Sequence, residues 1–208
     1  MKKYKDIQPL FQNKYLNFYH MDATTDSGKT FDYYFASRNP KDCIKAVTGS
    51  TKAEGVVIYP IWKEEPDKIV LIKQYRYPLG DMIYELPAGL IDKGEDASQA
   101  AVREMQEETG FSLEVYKGGA EYYRRPFYMG AGYTDEACQV VFGYASGVWD
   151  RQKLEETESI RVLLADKQEV SRILTEEKVS LRMAYLMMNF LQSDPENPFA
   201  FLSVKMNQ

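Results

Sequence analysis

Residues 89–111 read GLIDKGEDASQAAVREMQEETGF, and this stretch limits what the chain can fold into more than any other. Glu104, Glu107 and Glu108 fall at i, i+3 and i+4, positions that share one face of a helix. Like charges at that spacing repel and would weaken an isolated helix. A divalent cation relieves the repulsion. Hard ions such as Mg²⁺ take carboxylate oxygens and keep waters that phosphate oxygens can replace. Helix signals surround the acids. Asp96 or Ser98 can cap the first turn, and Glu95 and Asp96 suit its positive end. Ala97, Ala100, Ala101, Val102 and Met105 supply helix-forming and apolar positions, and Gly110 stops the helix before Phe111. Glu85-Leu86-Pro87-Ala88-Gly89 closes a strand ahead of it. The unit is predicted to be strand, loop, acidic helix, loop.

The segment resembles the signature of the Nudix hydrolases, G-x5-E-x7-R-E-U-x-E-E-x-G-U with U apolar. Gly89, Glu95, Arg103, Glu104, Met105, Glu107, Glu108, Gly110 and Phe111 fill every specified place. The resemblance implies an α/β fold: a Nudix α/β/α sandwich with a mixed sheet over residues 51–208. A small N-terminal antiparallel sheet over residues 1–50 would precede it.

Strand chemistry along the chain agrees with that order. Residues 16–21 and 30–37 read as strands around turn-forming Asp26-Ser27-Gly28-Lys29. Residues 55–62 and 69–75 read as a hairpin across Glu64-Glu65-Pro66-Asp67-Lys68. Further strands are expected at 83–86, 114–123, 137–145 and 159–164, with a long loop at 124–136. Amphipathic helices are expected near 167–175 and 180–192.

Gln74-Tyr75-Arg76-Tyr77-Pro78 and Glu85-Leu86-Pro87-Ala88-Gly89-Leu90-Ile91 resemble the ADP-ribose and nucleotide-sugar pyrophosphatase subfamily. In that subfamily the extra N-terminal sheet exchanges between subunits, so a homodimer is implied. Members often carry Pro-Gly in the loop after the signature, where this chain has Gly130-Ala131-Gly132-Tyr133-Thr134-Asp135-Glu136. UDP-sugars and other nucleoside diphosphate sugars therefore stand beside ADP-ribose. The implied enzyme is a pyrophosphatase that splits the diphosphate bond into a nucleoside monophosphate and a sugar phosphate. Other readings are a hydrolase of dinucleotide polyphosphates or modified nucleotides, and a non-catalytic ligand sensor. The intact glutamates argue against the sensor.

The resemblance also implies roles. Glu104 and Glu108 are expected as metal ligands, with Glu107 sharing a second ion and the Ala88 carbonyl completing the site. Two or three divalent ions are implied, Mg²⁺ or alternatively Mn²⁺. Arg103 is expected to orient the acids through an ion pair. Arg76, Arg124 and Arg125 can form bidentate contacts to phosphate, Glu85 lies in the matched substrate-binding segment, and Tyr33 and Tyr34 can stack on a base. The general base is expected at Glu156, with Glu158 and Glu107 as alternatives, because metal-holding acids make poor bases.

Whole-chain properties narrow the classes. The chain has 208 residues and a formal net charge of −5. No basic nucleic-acid footprint is expected at that balance. No apolar run reaches spanning length and MKKYKDIQ lacks a signal-peptide core, so a cytoplasmic protein without membrane partners is expected. Cys43 and Cys138 lack metal spacing and read as thiols. The only histidine, His20, reads as structural.

Overall fold

The structure, a computed structural model, describes residues 2–148 and 160–203. The chain divides into two compact units, Met1–Glu54 with Pro126–Cys138, and Gly55–Arg125 with Gln139–Gln208.

The first unit begins with an antiparallel sheet of β1 (Tyr4–Phe11), β2 (Asn17–Thr24) and β3 (Thr30–Ser37), in that order. β3 keeps the bounds expected from its β-formers. β1 was not anticipated: Lys3, Lys5, Asp6 and Gln8 give its strand a polar surface that hides the alternation at Ile7. Ile7, Tyr19, Phe35 and Ile44 form this unit's core, and Tyr19 stacks on Phe35 at 5.3 Å. A short helix α1 (Lys45–Thr48) follows.

The second unit contains β4 (Gly55–Trp62), β5 (Lys68–Arg76), β6 (Asp81–Glu85), β7 (Ala88–Leu90), helix α2 (Ala97–Thr109) and β8 (Ser112–Val115). After β9 (Phe127–Tyr128) come β10 (Ala137–Ser146), β11 (Ile160–Asp166), α3 (Lys167–Glu176) and α4 (Leu181–Gln192). The main sheet runs β11-β5-β4-β10-β8, with β6, β7 and β9 joined to β5, β4 and β10. It is mixed. β4 pairs antiparallel with β7, whereas hydrogen bonds from Glu54 N to Ala137 O and from Lys63 N to Ala145 O advance together along β4 and β10.

Every residue of β4 is buried, which requires cover on both faces. Alternation assigns the layers. Val56, Ile58 and Trp62 pack with Val141 and Ala145 against Ala97, Ala100, Ala101 and Met105 of α2. The opposite face carries Tyr59 and Phe142, which meet Phe199 at 6.2 and 6.3 Å. This unit is the expected α/β/α sandwich.

The strand expected over 114–123 stops at Val115. Gly118-Gly119 interrupts it, Tyr116 turns to stack on Phe199 at 4.5 Å, and Glu121–Arg124 forms a 3₁₀ turn. The loop of 126–138 joins the first unit through Glu54, whose carboxylate accepts from Ala137 N at 2.8 Å and from the Lys45 ammonium. Asp135 accepts from Lys45 N at 2.9 Å, and Ala36 N donates to Tyr133 O at 2.8 Å.

Helix α2 is pinned by Met105, which is fully buried against the sheet. Met105→Ala is expected to cost about 2–5 kcal/mol through lost burial and the cavity left behind. Urea unfolding monitored by circular dichroism checks this, and an unchanged midpoint would refute the packing role.

Candidate active site

The turn into α2 is built by a capping box. Asp96 accepts from Gln99 N at 2.8 Å, and the Gln99 side chain accepts from Asp96 N at 2.8 Å. Of the two caps the sequence allowed, Asp96 takes the role. Gly110 ends the helix at φ 75°, its N–H on Gln106 O. These stops fix the rotation of α2 and hence which side chains meet β7.

Arg103 is the hub. Its Nε and Nη2 each reach a Glu95 oxygen at 3.0 Å, and Nη2 also donates to Leu90 O at 2.8 Å. Nη1 is shared by Glu104 at 2.8 Å and Glu107 at 2.9 Å. One guanidinium therefore ties the end of β7 and the loop after it, through Leu90 and Glu95, to Glu104 and Glu107 of α2. The hydrogen bond from Arg103 holds the Glu95 carboxyl below its ordinary range. Burial pushes the Glu104 carboxyl up, against the pull of Arg103, with Glu107 and Asp92 adding to the rise.

Its position explains Gly89. A Cβ on residue 89 would lie 1.9 Å from the Glu104 carboxyl carbon. Only glycine lets β7 pass so close to a carboxylate. Glu108, buried, accepts from Ala88 N at 3.0 Å and so holds the Pro87–Ala88 peptide, just ahead of Gly89, against the same helix. Glu107 is the exposed member, its side chain 49% accessible.

These residues fit a hard divalent cation. The donors are carboxylates with the Ala88–Gly89 backbone beside them, and among the described residues Arg103 is the cation paired with Asp92, Glu95, Glu104 and Glu107. Arg103 stands between the acids. Among the described residues, the one group of three ligand side chains within 4.8 Å of one another lies elsewhere, at His20, Asp22 and Asp32.

The other residues anticipated from sequence are dispersed. Glu85 is buried, its carboxylate taken by Arg76 Nε at 2.5 Å and Arg182 Nη2 at 3.4 Å. Arg182, on α4, had no signal in the sequence because it stands in an ordinary amphipathic helix. Arg124 donates to the carbonyls of Tyr116 and Gly118 and so braces the turn before it. Arg125 is exposed. Tyr33 and Tyr34 belong to the first unit: the Tyr33 hydroxyl donates to Gly132 O at 2.5 Å, and Tyr34 stacks with Phe18 at 6.2 Å. Glu156 and Glu158 lie outside the described residues.

Gly89→Ala is expected to displace Glu104 and, if the acids hold an ion, to weaken Mg²⁺ binding by about tenfold or more, since the added methyl overlaps the Glu104 carboxyl. Isothermal titration with Mg²⁺ reads the loss. Wild-type affinity in Gly89→Ala would show that the close approach has no part in ion binding.

Comparison with known proteins bears on the same residues. The family model described as NUDIX domain matches residues 51–184, which include the whole of the constellation around Arg103. The "Putative nudix hydrolase 2" of Caenorhabditis elegans is 33% identical over 172 residues, covering 80% of this chain and 73% of that protein. The "ADP-ribose pyrophosphatase" of Bacillus subtilis is 26% identical over 159 residues, 74% of this chain and 80% of that one. A crystal structure titled "ADP compounds hydrolase" superposes with a TM-score of 0.66 at 19% identity, over 90% of this chain and 92% of that chain, and so shares the fold. No described helix is long and apolar enough to cross a membrane. With its signature complete in sequence and assembled in space around Arg103, the chain belongs to the Nudix family.

Proposed function

We propose that the protein hydrolyses the diphosphate bond of ADP-ribose or a related nucleoside diphosphate sugar, releasing a nucleoside monophosphate and a sugar phosphate. The observation that carries this reading is the largely buried Glu104 carboxylate wedged under Gly89 beside Glu108, a concentration of negative charge with one guanidinium among it. The similarity to the B. subtilis ADP-ribose pyrophosphatase supports the substrate class.

In this reading Glu104, Glu108 and the Ala88 carbonyl hold a Mg²⁺ ion, and Glu107 shares a further one. Such ions, when bound, neutralise the diphosphate and make phosphorus more electrophilic. Arg103 keeps the acids in register and does not touch substrate. Arg76, braced by Glu85, offers its terminal nitrogens to phosphate, as does the exposed Arg125, while Arg124 shapes the turn. Tyr33 and Tyr34 offer aromatic surface to a base. A water oxygen attacks phosphorus, a carboxylate takes the water's proton, and the P–O bond breaks so that the bridging oxygen leaves with the other product. Glu156 is assigned as that base, ahead of Glu158 and then Glu107, because it need not share its charge with a cation.

A panel of nucleoside diphosphate sugars assayed with and without Mg²⁺ tests the activity. ADP-ribose turnover is expected, with kcat falling by about 10²-fold or more in Glu104→Gln and Glu108→Gln. Glu156→Gln should lose kcat with KM little changed. Turnover of Glu104→Gln and Glu108→Gln at the wild-type level in limiting Mg²⁺ would overturn the ligand assignment. Full activity in Glu156→Gln and Glu158→Gln together would move the base to Glu107.

The assembly proposed is a homodimer joined through the first unit. Its three-stranded sheet leaves Phe11, Tyr15, Phe18, Phe31 and Tyr34 exposed, more aromatic surface than a small sheet ordinarily presents to water. Multi-angle light scattering at micromolar concentration should give twice the chain mass of 24.0 kDa. A monomer mass would refute it.

A further inference from the structure

One cluster of ligand-type side chains stands apart from the acidic helix. Asp22 of β2 and Asp32 of β3 are direct cross-strand partners, and His20, two residues before Asp22, shares their face. His20 Nε2 lies 2.7 Å from Asp32 Oδ1 and 3.8 Å from Asp22 Oδ1, and the ligand atoms of all three fall within 4.8 Å of one another. Like charges placed directly opposite across a ladder destabilise it. Sheets commonly relieve such a pair with Lys or Arg, yet among the described residues neither aspartate has one as an ion-pair partner. The third strand sets Gln8 opposite His20 and, across a bulge, Lys5 and Asp6 against Asp22, with no ion pair from Lys5 to Asp22 among the described residues. Among the described residues, the group paired to both carboxylates is the imidazole.

We propose that His20, Asp22 and Asp32 form a second, independent metal site that takes a divalent transition ion of the zinc class. One imidazole nitrogen and two carboxylate oxygens are three protein ligands, with water filling the remaining position of a tetrahedron. An imidazole donor favours such ions over Mg²⁺, which separates this site chemically from the carboxylates around Arg103. The geometry is close to what is needed. With bonds of about 2.0–2.1 Å, tetrahedral ligands stand roughly 3.3 Å apart. The two distances from His20, 2.7 and 3.8 Å, straddle that value, so small rotations of the aspartates suffice. The side chains of His20, Asp22 and Asp32 are 19, 38 and 71% exposed, which leaves an open path for the ion. Bound there, the ion would clip β2 to β3 and neutralise the opposed charges.

Because His20 is the only histidine, its imidazole signals in an NMR spectrum of the tag-free, full-length protein report this site alone. Titration of the chelator-treated protein with Zn²⁺ should shift those signals until about one equivalent is bound at the site. In equilibrium dialysis, His20→Gln and Asp32→Asn should weaken this Zn²⁺ binding by about tenfold or more, while Glu104→Gln keeps it. Imidazole signals that stay unmoved through the titration would overturn the proposal and leave an ordinary histidine–aspartate hydrogen bond. So would His20→Gln protein that binds Zn²⁺ as the wild type does. The wild-type spectrum decides the matter even where a variant fails to fold.

Discussion

Arg103 sits where four acidic side chains and a carbonyl converge, and the site depends on that single guanidinium. Without it, Glu95, Glu104 and Glu107 would repel one another at the start and in the middle of α2, and the loop from Leu90 would lose its anchor. A lysine could not replace it, because three directions of donation are in use at once and only the planar fork supplies them. The arrangement is over-determined on one side only. Arg103 satisfies Glu95 with two bonds but gives Glu104 and Glu107 one each, both from the same nitrogen.

The sandwich serves this geometry. Alanines at 97, 100 and 101 let α2 lie close on β4, and Met105 fills the remaining space. Close packing of a helix on a sheet is what allows a β7 backbone without a Cβ to meet a helical carboxylate. The charged chemistry is thus placed by apolar contacts that share the buried stripe of the helix, where Glu108 lies among Ala101 and Met105. Burial and charge meet on one side of a thirteen-residue helix.

Much of this was legible before any coordinates. The spacing of Glu104, Glu107 and Glu108, the cap at Asp96 and the stop at Gly110 are local, and local signals survive into structure. The buried strand at 55–62 declared itself by an unbroken apolar run. What escaped were pairings between distant residues. Arg182 meets Glu85 across two elements, and nothing near either residue marks the contact. β1 hid because its outward residues are charged and its inward surface is slight. Asp22 and Asp32 become neighbours only once the β2–β3 register is known, so His20 read alone as a structural residue. The strand expected beyond Val115 failed for the converse reason: β-forming residues were present, but after a last bond from Tyr116 N to Phe142 O the glycines at 118 and 119 end the ladder.

Glu85 carries a consequence for how such a chain can change over time. Its buried carboxylate is shared by Arg76 from β5 and Arg182 from α4. Loss of either arginine leaves a buried carboxylate with one of its two arginine partners, so the tolerance of each position depends on the other. Positions 76, 85 and 182 are therefore bound into one evolutionary unit. A lineage can abandon the trio together, but drift at one member is constrained by the two that remain.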